Sequence, residues 1–392
     1  MREVVIVSAA RTAIGRAPKG AFRSTRPDEL AAVALKAVLD RAPGIDPVTI
    51  DDVILGCAMP EAEQGMNVAR VAALRAGLPD SVPAATINRF CASGLEAIAT
   101  GAAKIACGQA DVVAAGGVES MSLVTFMGPS TRPNPWLIAH RPDTYLSMGL
   151  SVESIADEFD ISRESADAFA LESHRKAIAA QDAGRFDEEI VPVTTSIQEV
   201  DGEHAHISHA DVTMDEGPRR ETSAEALAKL RPAFLKDGVI TAGNASQRSD
   251  GAAAVILTTL ENAERLGLTP LARFAGYSVA AVAPERFGIA PAFAMPRLLK
   301  RMGLTIEEFD LIEFNEAFAA QVLASDRLFP LPLDRVNVNG GACALGHPLG
   351  CTGARQAVSM VFEAKRRGAK RGLITMCAAL GMGAAGVLEF AR

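Results

Sequence analysis

The sequence contains few aromatic residues and no net positive charge. Aromatic residues make up 5% of the 392 residues, with one Trp and two Tyr, and the formal net charge is −8. Proteins that bind nucleic acids usually carry a basic surface, and those that bind single strands add aromatic side chains on which bases stack. We therefore expect no nucleic-acid partner, and an anionic small substrate would need a local cluster of basic residues.

Long apolar runs and recognisable targeting segments are also missing. No stretch of eighteen or more apolar residues occurs, so we expect no membrane span. The first residues lead directly into an apolar, β-branched segment, Val4–Val7, and we expect neither a signal peptide nor a transit peptide. These absences predict a cytoplasmic protein.

The cysteines are widely spaced, which disfavours a disulfide framework. In a long chain without a secretion signal, cysteines are expected to be reduced and to serve as core residues or reactive thiols. They lie at positions 57, 91, 107, 343, 351 and 377. Hydrophobic residues make up 49% and charged residues 22%, which is too apolar for disorder, and the length favours at least two folding units.

Strand-like and helical patterns alternate towards both ends of the chain. Short apolar runs such as Val112–Gly117 and Arg371–Thr375 predict buried strands, whereas Ser93–Gly108 and Gly353–Arg367 predict helices. This alternation is typical of an α/β fold with helices on both faces of a sheet. From about residue 120 to 245, prolines, glycines and charges become frequent, which predicts an insertion.

The two ends of the chain resemble each other. Ile87–Gly94 and the segment that begins at Val338 each precede a helix and then a strand, which suggests a duplicated α/β unit with an active site at the seam. We therefore predict three parts. An N-terminal α/β half comprises residues 1–120 with 246–268, an inserted loop domain comprises residues 121–245, and a C-terminal α/β half comprises residues 269–392.

Cys91, His347 and Cys377 are the candidates for chemistry. Cys91 begins an Ala-rich helix, where the dipole and free N–H groups favour the thiolate, although a lone cysteine more often belongs to the core. His347 lies between Gly346 and Pro348, a rigid position that suits a catalytic base and a structural turn equally well. Cys377 ends a predicted strand, where the active sites of open α/β sheets collect.

Four segments together resemble motifs of the thiolase family: Asn88–Gly94, Asn315–Ala319, Gly346–Gly353 and Cys377–Gly383. With Arg11–Gly15 the resemblance covers nearly the whole chain. It implies a duplicated, five-layered α-β-α-β-α architecture with mixed sheets and an inserted loop domain. Gly117–Met121 and the residues around Cys91 and His347 are more similar to degradative 3-ketoacyl-CoA thiolases than to biosynthetic acetoacetyl-CoA thiolases.

The resemblance implies an acyltransferase that cleaves 3-ketoacyl-CoA with CoA, as in β-oxidation, to acetyl-CoA and a shortened acyl-CoA. Cys91 would be the nucleophile that forms an acyl-enzyme, His347 would take its proton, and Cys377 would protonate the acetyl-CoA enolate. Asn315 would hold a water that stabilises the enolate oxygen together with His347. The backbone N–H groups of Cys91 and Ala379 would form a second oxyanion hole, and several relatives carry glycine at position 379.

For CoA, the resemblance points to Arg219 near the adenosine phosphates and to Ser246 at the pantetheine arm. It also points to Ala317 and Phe318 along the same tunnel and to Met148 near the thioester. CoA is a substrate in this chemistry, and no cofactor or metal is implied. A cluster of basic residues in the insertion fits an anionic ligand: Arg219, Arg220, Lys229, Arg231 and Lys236.

The resemblance also bears on partners and leaves alternatives open. The family usually forms homodimers or homotetramers, and degradative members sometimes pair with a hydratase/dehydrogenase subunit. The alternative functions are an acetoacetyl-CoA thiolase running the Claisen condensation, a condensing enzyme of the ketoacyl-synthase type, and a non-catalytic CoA-binding subunit. Acyl specificity stays open, and the stretch 130–148, with Trp136 and Tyr145, is expected to shape that pocket.

Two further motifs are expected to have no function. Gly381–Gly386 satisfies G-x-G-x-x-G, but a strand follows it instead of a βαβ unit, so we expect no nicotinamide site. His204, His206 and His209 lie in a polar, loop-like segment and are expected to be solvated instead of binding a metal.

Overall fold

The regular elements follow the alternation expected from the sequence. The computed structural model describes residues 2–201 and 204–390. Within these ranges the strands are β1 (Val4–Thr12), β2 (Gly15–Arg16), β3 (Asp52–Gly56), β4 (Ala84–Ile87), β5 (Val112–Ser120), β6 (Ile190–Val191), β7 (Val193–Asp201), β8 (His204–Val212), β9 (Ser249–Thr259), β10 (Ala272–Ala281), β11 (Leu311–Phe314), β12 (Arg371–Ala378) and β13 (Met382–Glu389). The α-helices are α1 (Pro27–Asp40), α2 (Val68–Arg75), α3 (Ser93–Ala106), α4 (Pro135–His140), α5 (Met148–Glu158), α6 (Arg163–Asp182), α7 (Ala224–Ala228), α8 (Leu260–Arg265), α9 (Pro291–Met302), α10 (Ala319–Leu328), α11 (Ala342–Leu345) and α12 (Leu349–Arg367).

The strands of the two ends of the chain are arranged in the same order. Towards the N-terminus the order is β4-β3-β5-β9-β1, and towards the C-terminus it is β11-β12-β13-β10, with Val336 bridged to Ile312 of β11 where a fifth strand would lie. In each set, the strand that comes second along the chain, β3 or β11, is parallel to its neighbours. The strand that comes last, β9 or β13, is antiparallel to its neighbours. β1 pairs with β10 and joins the sets into one sheet. The predicted duplication of an α/β unit is confirmed.

Helices cover the strands on both faces and also fill the space between the two sets. Alternate side chains of β1 point to opposite sides: Val5 and Val7 enter a core with α1 and α2, whereas Val4 and Ile6 enter a core with α3 and α12. A further core packs α9 and α10, including Leu298, against the outer face of the C-terminal strands. These cores produce the expected α-β-α-β-α layers.

The two central helices, α3 and α12, touch through glycine. A Cβ atom on Gly94 would lie 2.7 Å from the nitrogen of Ala354, and one on Gly353 would lie 2.6 Å from the nitrogen of Leu95. Only glycine permits such a close approach of two backbones. The crossing lies in the first turns of both helices, so it brings together the residues that precede them.

The chain between β5 and β9 packs on both sets of strands: Phe186 and Val193 enter the core with α1 and α2, whereas α5 packs on the C-terminal set. α5 contributes Val152 and Ile155 to a core that also contains Ala317 and Cys377. The hairpin of β7 and β8 forms a separate two-stranded sheet. No helix of the described ranges is long and apolar enough to cross a membrane.

One local prediction is wrong, because the segment expected to be a loop at residues 203–211 contributes to strand β8. Its polar side chains hid the pairing with β7, in which His209 lies opposite Ser196. The ring of His209 lies 2.9 Å from the hydroxyl of that serine. The side chains of His204 and His206 lie outside the described part of the chain. In the part that is described, no group of three or more His, Cys, Asp or Glu side chains is arranged to hold a metal ion.

Candidate active site

Cys91 is held in a strained turn between β4 and α3. The preceding residue, Phe90, has a φ of 47°, a left-handed conformation that costs roughly 1–3 kcal/mol for such a side chain. Side chains hold the turn in place: Asn88 Oδ1 accepts a bond from the Phe90 nitrogen at 2.7 Å, and Ser93 Oγ donates to the Phe90 carbonyl at 2.6 Å. Cys91 is buried. The turn therefore fixes the position of its sulfur.

The Cys91 thiol is neutral in this structure. Burial and, next, the Glu119 carboxylate raise the pKa of Cys91 to about 12, while the backbone N–H groups of Cys91 and Ala379 oppose the shift. The N–H group of Cys91 at the helix start favours the thiolate, as expected, but desolvation outweighs it. A thiol in this state needs a base before it can attack a carbonyl carbon.

His347 is a neutral imidazole between two polar side chains. It follows Gly346, whose φ of 99° allows the turn before α12. Its Nδ1 lies 2.6 Å from Thr352 Oγ1, and its Nε2 lies 3.3 Å from Asn315 Nδ2. Burial and, next, the Arg355 guanidinium lower the pKa of His347 to about 3. The ring is therefore neutral at neutral pH, and one of its two nitrogens carries a free lone pair.

Asn315 and Cys377 lie at the same ends of the parallel strands β11 and β12. The Asn315 nitrogen donates to the Thr375 carbonyl at 2.9 Å, and within the described ranges the buried Oδ1 of Asn315 has no hydrogen-bond partner. Burial and, next, Cys91 raise the pKa of Cys377 well above its ordinary value. Because Cys91 acts on Cys377 in this way, the two thiols are close neighbours although they are far apart in the chain.

The backbone groups expected to form an oxyanion hole face the same sulfur. The N–H groups of Cys91 and Ala379 both interact with the Cys91 thiol. Ala379 begins the turn after β12, in which Leu380 and Gly381 have φ values of 61° and 80°. A Cβ atom on Gly381 would lie 2.3 Å from the Val282 carbonyl oxygen, so the turn requires glycine there.

A cavity of about 820 Å³ connects these groups with most of the residues expected to bind CoA. His347, Ala379 and Phe90, the neighbour of Cys91, line it. Four of the five CoA residues line it as well: Met148, Ser246, Ala317 and Phe318. Much of the remaining wall is apolar and includes Met59, Met121, Phe126, Met127, Tyr145, Leu146 and Phe234.

Arg219, the fifth CoA residue, lines a second cavity of about 520 Å³ that shares Gln247 with the first. Arg16 lines it too, and after burial the nearness of Arg16 lowers the pKa of Arg219. Neither guanidinium forms an ion pair with any described residue, whereas Arg220 pairs with Asp182 at 2.6 Å. Two adjacent unpaired cations suit an anion. Sequence reasoning missed Arg16, since no motif links it to the insertion.

Glu119 connects the Cys91 side of the site with the His347 side. Its buried carboxylate accepts hydrogen bonds from the backbone nitrogens of Ala58 at 2.8 Å and Gly350 at 2.7 Å, and from Gln64 Nε2 at 2.7 Å. Burial raises the pKa of Glu119. Ala58 follows β3, and Gly350 lies in the first turn of α12. The sequence signal for this contact is a glutamate inside an otherwise apolar strand.

Comparisons with known proteins agree with this geometry. The pattern described as "Thiolase, N-terminal domain" matches residues 4–261, and "Thiolase, C-terminal domain" matches residues 268–390. A "3-ketoacyl-CoA thiolase" of Bacillus subtilis (strain 168) is 50% identical over 99% of this chain and 100% of its own length. The human "3-ketoacyl-CoA thiolase, peroxisomal" is 45% identical over 99% of this chain and 91% of its length.

A solved structure shares the whole fold. The crystal structure of the Bacillus anthracis acetyl-CoA acetyltransferase has a TM-score of 0.90 and 42% sequence identity, and the match covers 100% of this chain and 99% of that one. With both domain patterns matched and full-length relatives at this identity, the chain belongs to the thiolase family.

Proposed function

We propose that the protein cleaves 3-ketoacyl-CoA with CoA, giving acetyl-CoA and an acyl-CoA shortened by two carbons, as in β-oxidation. One observation carries the proposal: two neighbouring buried thiols, Cys91 and Cys377, lie next to residues that line one cavity, Phe90 and Ala379, and a neutral imidazole, His347, lines the same cavity. A nucleophile, a base and a second acid are the groups that this carbon–carbon cleavage needs.

The first half-reaction begins with the proton of Cys91. His347 Nε2 takes this proton, and the thiolate attacks the 3-keto carbon of the substrate. The electron pair of the carbonyl moves to its oxygen, which the N–H groups of Cys91 and Ala379 stabilise. When that pair returns, the C2–C3 bond breaks, and the acetyl-CoA enolate leaves an acyl group on Cys91. Cys377 then donates its proton to C2 of the enolate.

The second half-reaction restores both thiols. The thiol of the incoming CoA gives its proton to the Cys377 thiolate, and its sulfur attacks the acyl carbon on Cys91. The Cys91 thiolate leaves and recovers its proton from His347. During enolate formation His347, together with a water held by Asn315, stabilises the enolate oxygen; the unpartnered Oδ1 of Asn315 supports such a contact.

In this proposal CoA occupies the two cavities, which share Gln247 in their walls. Met148, Ser246, Ala317 and Phe318 would contact the pantetheine arm and the thioester, and Arg219 would contact the phosphates at the adenosine end. The proposed loop domain, residues 121–245, would supply Met148 and Arg219, while the two α/β halves, 1–120 with 246–268 and 269–392, supply the catalytic groups. CoA is the substrate, and the reaction as written needs no metal.

The apolar wall of the larger cavity favours acyl chains longer than acetoacetyl. Met59, Phe126 and Leu146 offer apolar surface that a two-carbon remnant would leave unfilled. The second candidate function is acetoacetyl-CoA thiolase, which the name of the B. anthracis structure favours. Thiolysis of 3-ketooctanoyl-CoA and acetoacetyl-CoA, followed by chromatography of the released acetyl-CoA, separates them. A higher kcat/KM for acetoacetyl-CoA would overturn the degradative assignment.

The proposal extends to assembly and location. We expect a cytoplasmic homodimer or homotetramer, with a hydratase/dehydrogenase subunit as a further partner. Analytical ultracentrifugation of the purified chain measures the oligomeric state, and co-purification from the native host tests for the partner subunit. A monomer with full activity would contradict the oligomer.

A further inference from the structure

The tautomer of a neutral imidazole decides which of its nitrogens can act as a base. His347 is buried and neutral, and each ring nitrogen faces one polar atom. Nδ1 lies 2.6 Å from Thr352 Oγ1, and Nε2 lies 3.3 Å from Asn315 Nδ2. The directions of these two hydrogen bonds therefore fix the position of the ring proton.

The hydroxyl of Thr352 has a second partner, which sets its direction. Thr352 lies in the first turn of α12, and its Oγ1 donates to the Pro348 carbonyl at 3.0 Å. A hydroxyl has a single hydrogen, so towards His347 the oxygen of Thr352 accepts. Nδ1 of His347 then carries the ring hydrogen.

The other side of the ring is consistent with this direction. Asn315 Nδ2 is a donor, and it faces Nε2. Nε2 therefore carries the lone pair. The reverse network, with Thr352 donating to Nδ1, would require the amide of Asn315 to turn its oxygen towards Nε2. Thr352 itself is buried and does not line the cavity that His347 lines, so it reaches the substrate only through the imidazole.

We propose that Thr352 is a positioning residue that holds His347 in the Nδ1–H tautomer, so that Nε2 can take the proton of Cys91. This inference rests on the proposed function. When the proton moves from Cys91 Sγ to Nε2, the sulfur keeps the electron pair that attacks the substrate. The new Nε2–H becomes a hydrogen-bond donor for the substrate oxygen, and Thr352 continues to accept from Nδ1–H throughout.

The tautomer can be measured without any turnover. In protein with ¹⁵N-labelled histidine, NMR distinguishes protonated from unprotonated ring nitrogens, and the His347→Asn variant assigns the His347 signals. We expect the wild type and Thr352→Ser to carry the proton on Nδ1. Thr352→Val keeps the shape of the side chain without the hydroxyl, so a hydrogen on Nδ1 would have no acceptor. We expect its proton on Nε2, with the amide of Asn315 turned so that its oxygen accepts from Nε2. A wild type protonated on Nε2, or a Thr352→Val protein still protonated on Nδ1, would overturn the proposal.

Kinetics provide the second readout. We expect Thr352→Val to lower kcat about 10- to 100-fold, as one lost hydrogen bond and a misplaced ring proton predict, with the KM for CoA within about 2-fold. Thr352→Ser should stay within about 3-fold of wild type in kcat. The matched control is Thr258→Val, which removes another buried hydroxyl, one that donates to the Asp111 carbonyl at 2.8 Å. That variant should retain wild-type kcat.

The outcomes separate the inference from the function on which it rests. Full kcat in Thr352→Val, or a Thr352→Ser variant as slow as Thr352→Val, contradicts the role of the hydroxyl. A wild-type protein without thiolysis contradicts the proposed function instead, and the NMR result still decides the tautomer. Circular dichroism of each variant checks that it is folded.

Discussion

At the scale of single residues, the three proposed reacting groups are all uncharged before substrate arrives. Burial raises the pKa values of Cys91 and Cys377 and lowers that of His347. An apolar surrounding disfavours each charged form, so proton transfer becomes favourable only when a bound substrate accepts the resulting charge. In the proposed mechanism, the same burial keeps Cys377 protonated until the enolate takes its proton.

Removing Cys377 should separate acylation from carbon–carbon cleavage. We expect Cys377→Ala to lower kcat for thiolysis by about 10²- to 10⁴-fold, the usual contribution of a general acid. Cys91 should still become acylated by acetyl-CoA, since thioester exchange breaks no carbon–carbon bond. Intact-protein mass spectrometry detects this acetyl adduct, and steady-state kinetics give kcat.

Matched variants control for the loss of a buried thiol. Cys351 is buried in a core near the site and has no assigned role, so Cys351→Ala should keep nearly full activity. Cys91→Ala should show neither the acetyl adduct nor turnover, whereas the wild type shows both. If the protein were a non-catalytic CoA-binding subunit, the wild type would show no adduct either. If Cys377→Ala catalysed thiolysis with the kcat of the wild type, a site of the ketoacyl-synthase type would be favoured.

Arg16 should contribute to CoA affinity without affecting the chemistry. It shares the smaller cavity with Arg219, and both are unpaired within the described ranges. Since a hydrogen bond to a charged group is worth about 1.5–3 kcal/mol, Arg16→Gln should raise the KM for CoA about 10-fold or more at unchanged kcat. Dephospho-CoA as the substrate shows whether the 3′-phosphate is the partner.

The control for Arg16 is a nearby charge that lines neither cavity. Lys19→Gln removes the same charge from an exposed position, so it should leave the KM for CoA unchanged. An unchanged KM in Arg16→Gln would exclude the proposed anion contact.

Residues within recognisable motifs could be predicted from the sequence, and residues that act across the fold could not. Cys91, His347, Asn315 and Cys377 stand in segments that resemble a family, and the structure brings their side chains together. Arg16 lies outside these segments. Glu119 and Thr352 lie inside segments that resemble the family, but nothing in those segments predicts their hydrogen bonds with Gly350 and His347. Such contacts depend on the tertiary structure, which no local pattern contains.

At the scale of elements, the glycine crossing of α3 and α12 sets the geometry of the site. Cys91 precedes α3 and His347 precedes α12, so the distance between the two helices limits the distance between the proposed nucleophile and the proposed base. Gly350 adds a further contact, because a Cβ atom there would lie 2.6 Å from Cys57 Cα. Any side chain at these positions pushes the two parts of the site apart.

Gly353→Ala should therefore reduce both stability and kcat. Its new methyl group would meet the nitrogen of Leu95 at 2.6 Å and the Cβ of Leu95 at 2.8 Å. Overpacking of this kind typically costs about 1–3 kcal/mol, and urea unfolding measures the loss. Because the helices separate next to the site, we also expect kcat to fall about 10-fold or more.

A different glycine distinguishes crowding from backbone strain. Gly108 ends α3 with a φ of 78°, and an added Cβ would meet nothing within 4 Å. Gly108→Ala should lose about 1 kcal/mol through its backbone conformation and keep its kcat. If Gly353→Ala had wild-type stability and kcat, the crossing would not control the site.

Element types followed from periodicity, whereas their ends and the hairpin depended on tertiary contacts. Gly353–Arg367 was expected as a helix, and α12 begins earlier, at Leu349, directly after Pro348. Glycines at the start of α12 obscured the first turn, because their low helix propensity is offset by packing against α3. The polar strand β8 was missed for a related reason, since only its pairing with β7 makes it a strand.

At the scale of the whole molecule, duplication explains why the site lies where it does. The two sets of strands share one order, and each has a helix that begins after a loop with a reacting residue, Cys91 or His347. Packing α3 against α12 places these equivalent loops side by side. The proposed active site therefore draws on residues near both sets of strands, and neither set alone would supply all of its groups.

The burial of His347 should also make the stability of the whole chain depend on pH. Its pKa is lowered to about 3 in the folded protein, whereas an unfolded histidine titrates near 6.5. Between these values the unfolded chain binds a proton that the folded chain does not, so stability falls as the pH drops below about 6.5. From pH 7.5 to pH 5.0 this group alone should cost about 2 kcal/mol.

Other groups titrate in the same range, so the contribution of His347 has to be measured as a difference. Burial raises the pKa of Glu313 to about 7, which acts in the opposite direction, because the folded form then binds its proton more readily than the unfolded form. Urea unfolding of the wild type and of His347→Asn at both pH values cancels such shared terms. We expect the wild type to lose about 2 kcal/mol more than the variant on acidification. If both proteins lost the same free energy of unfolding, His347 would titrate normally in the folded protein. Burial would then not keep its imidazole neutral, as the proposed attack by Cys91 requires.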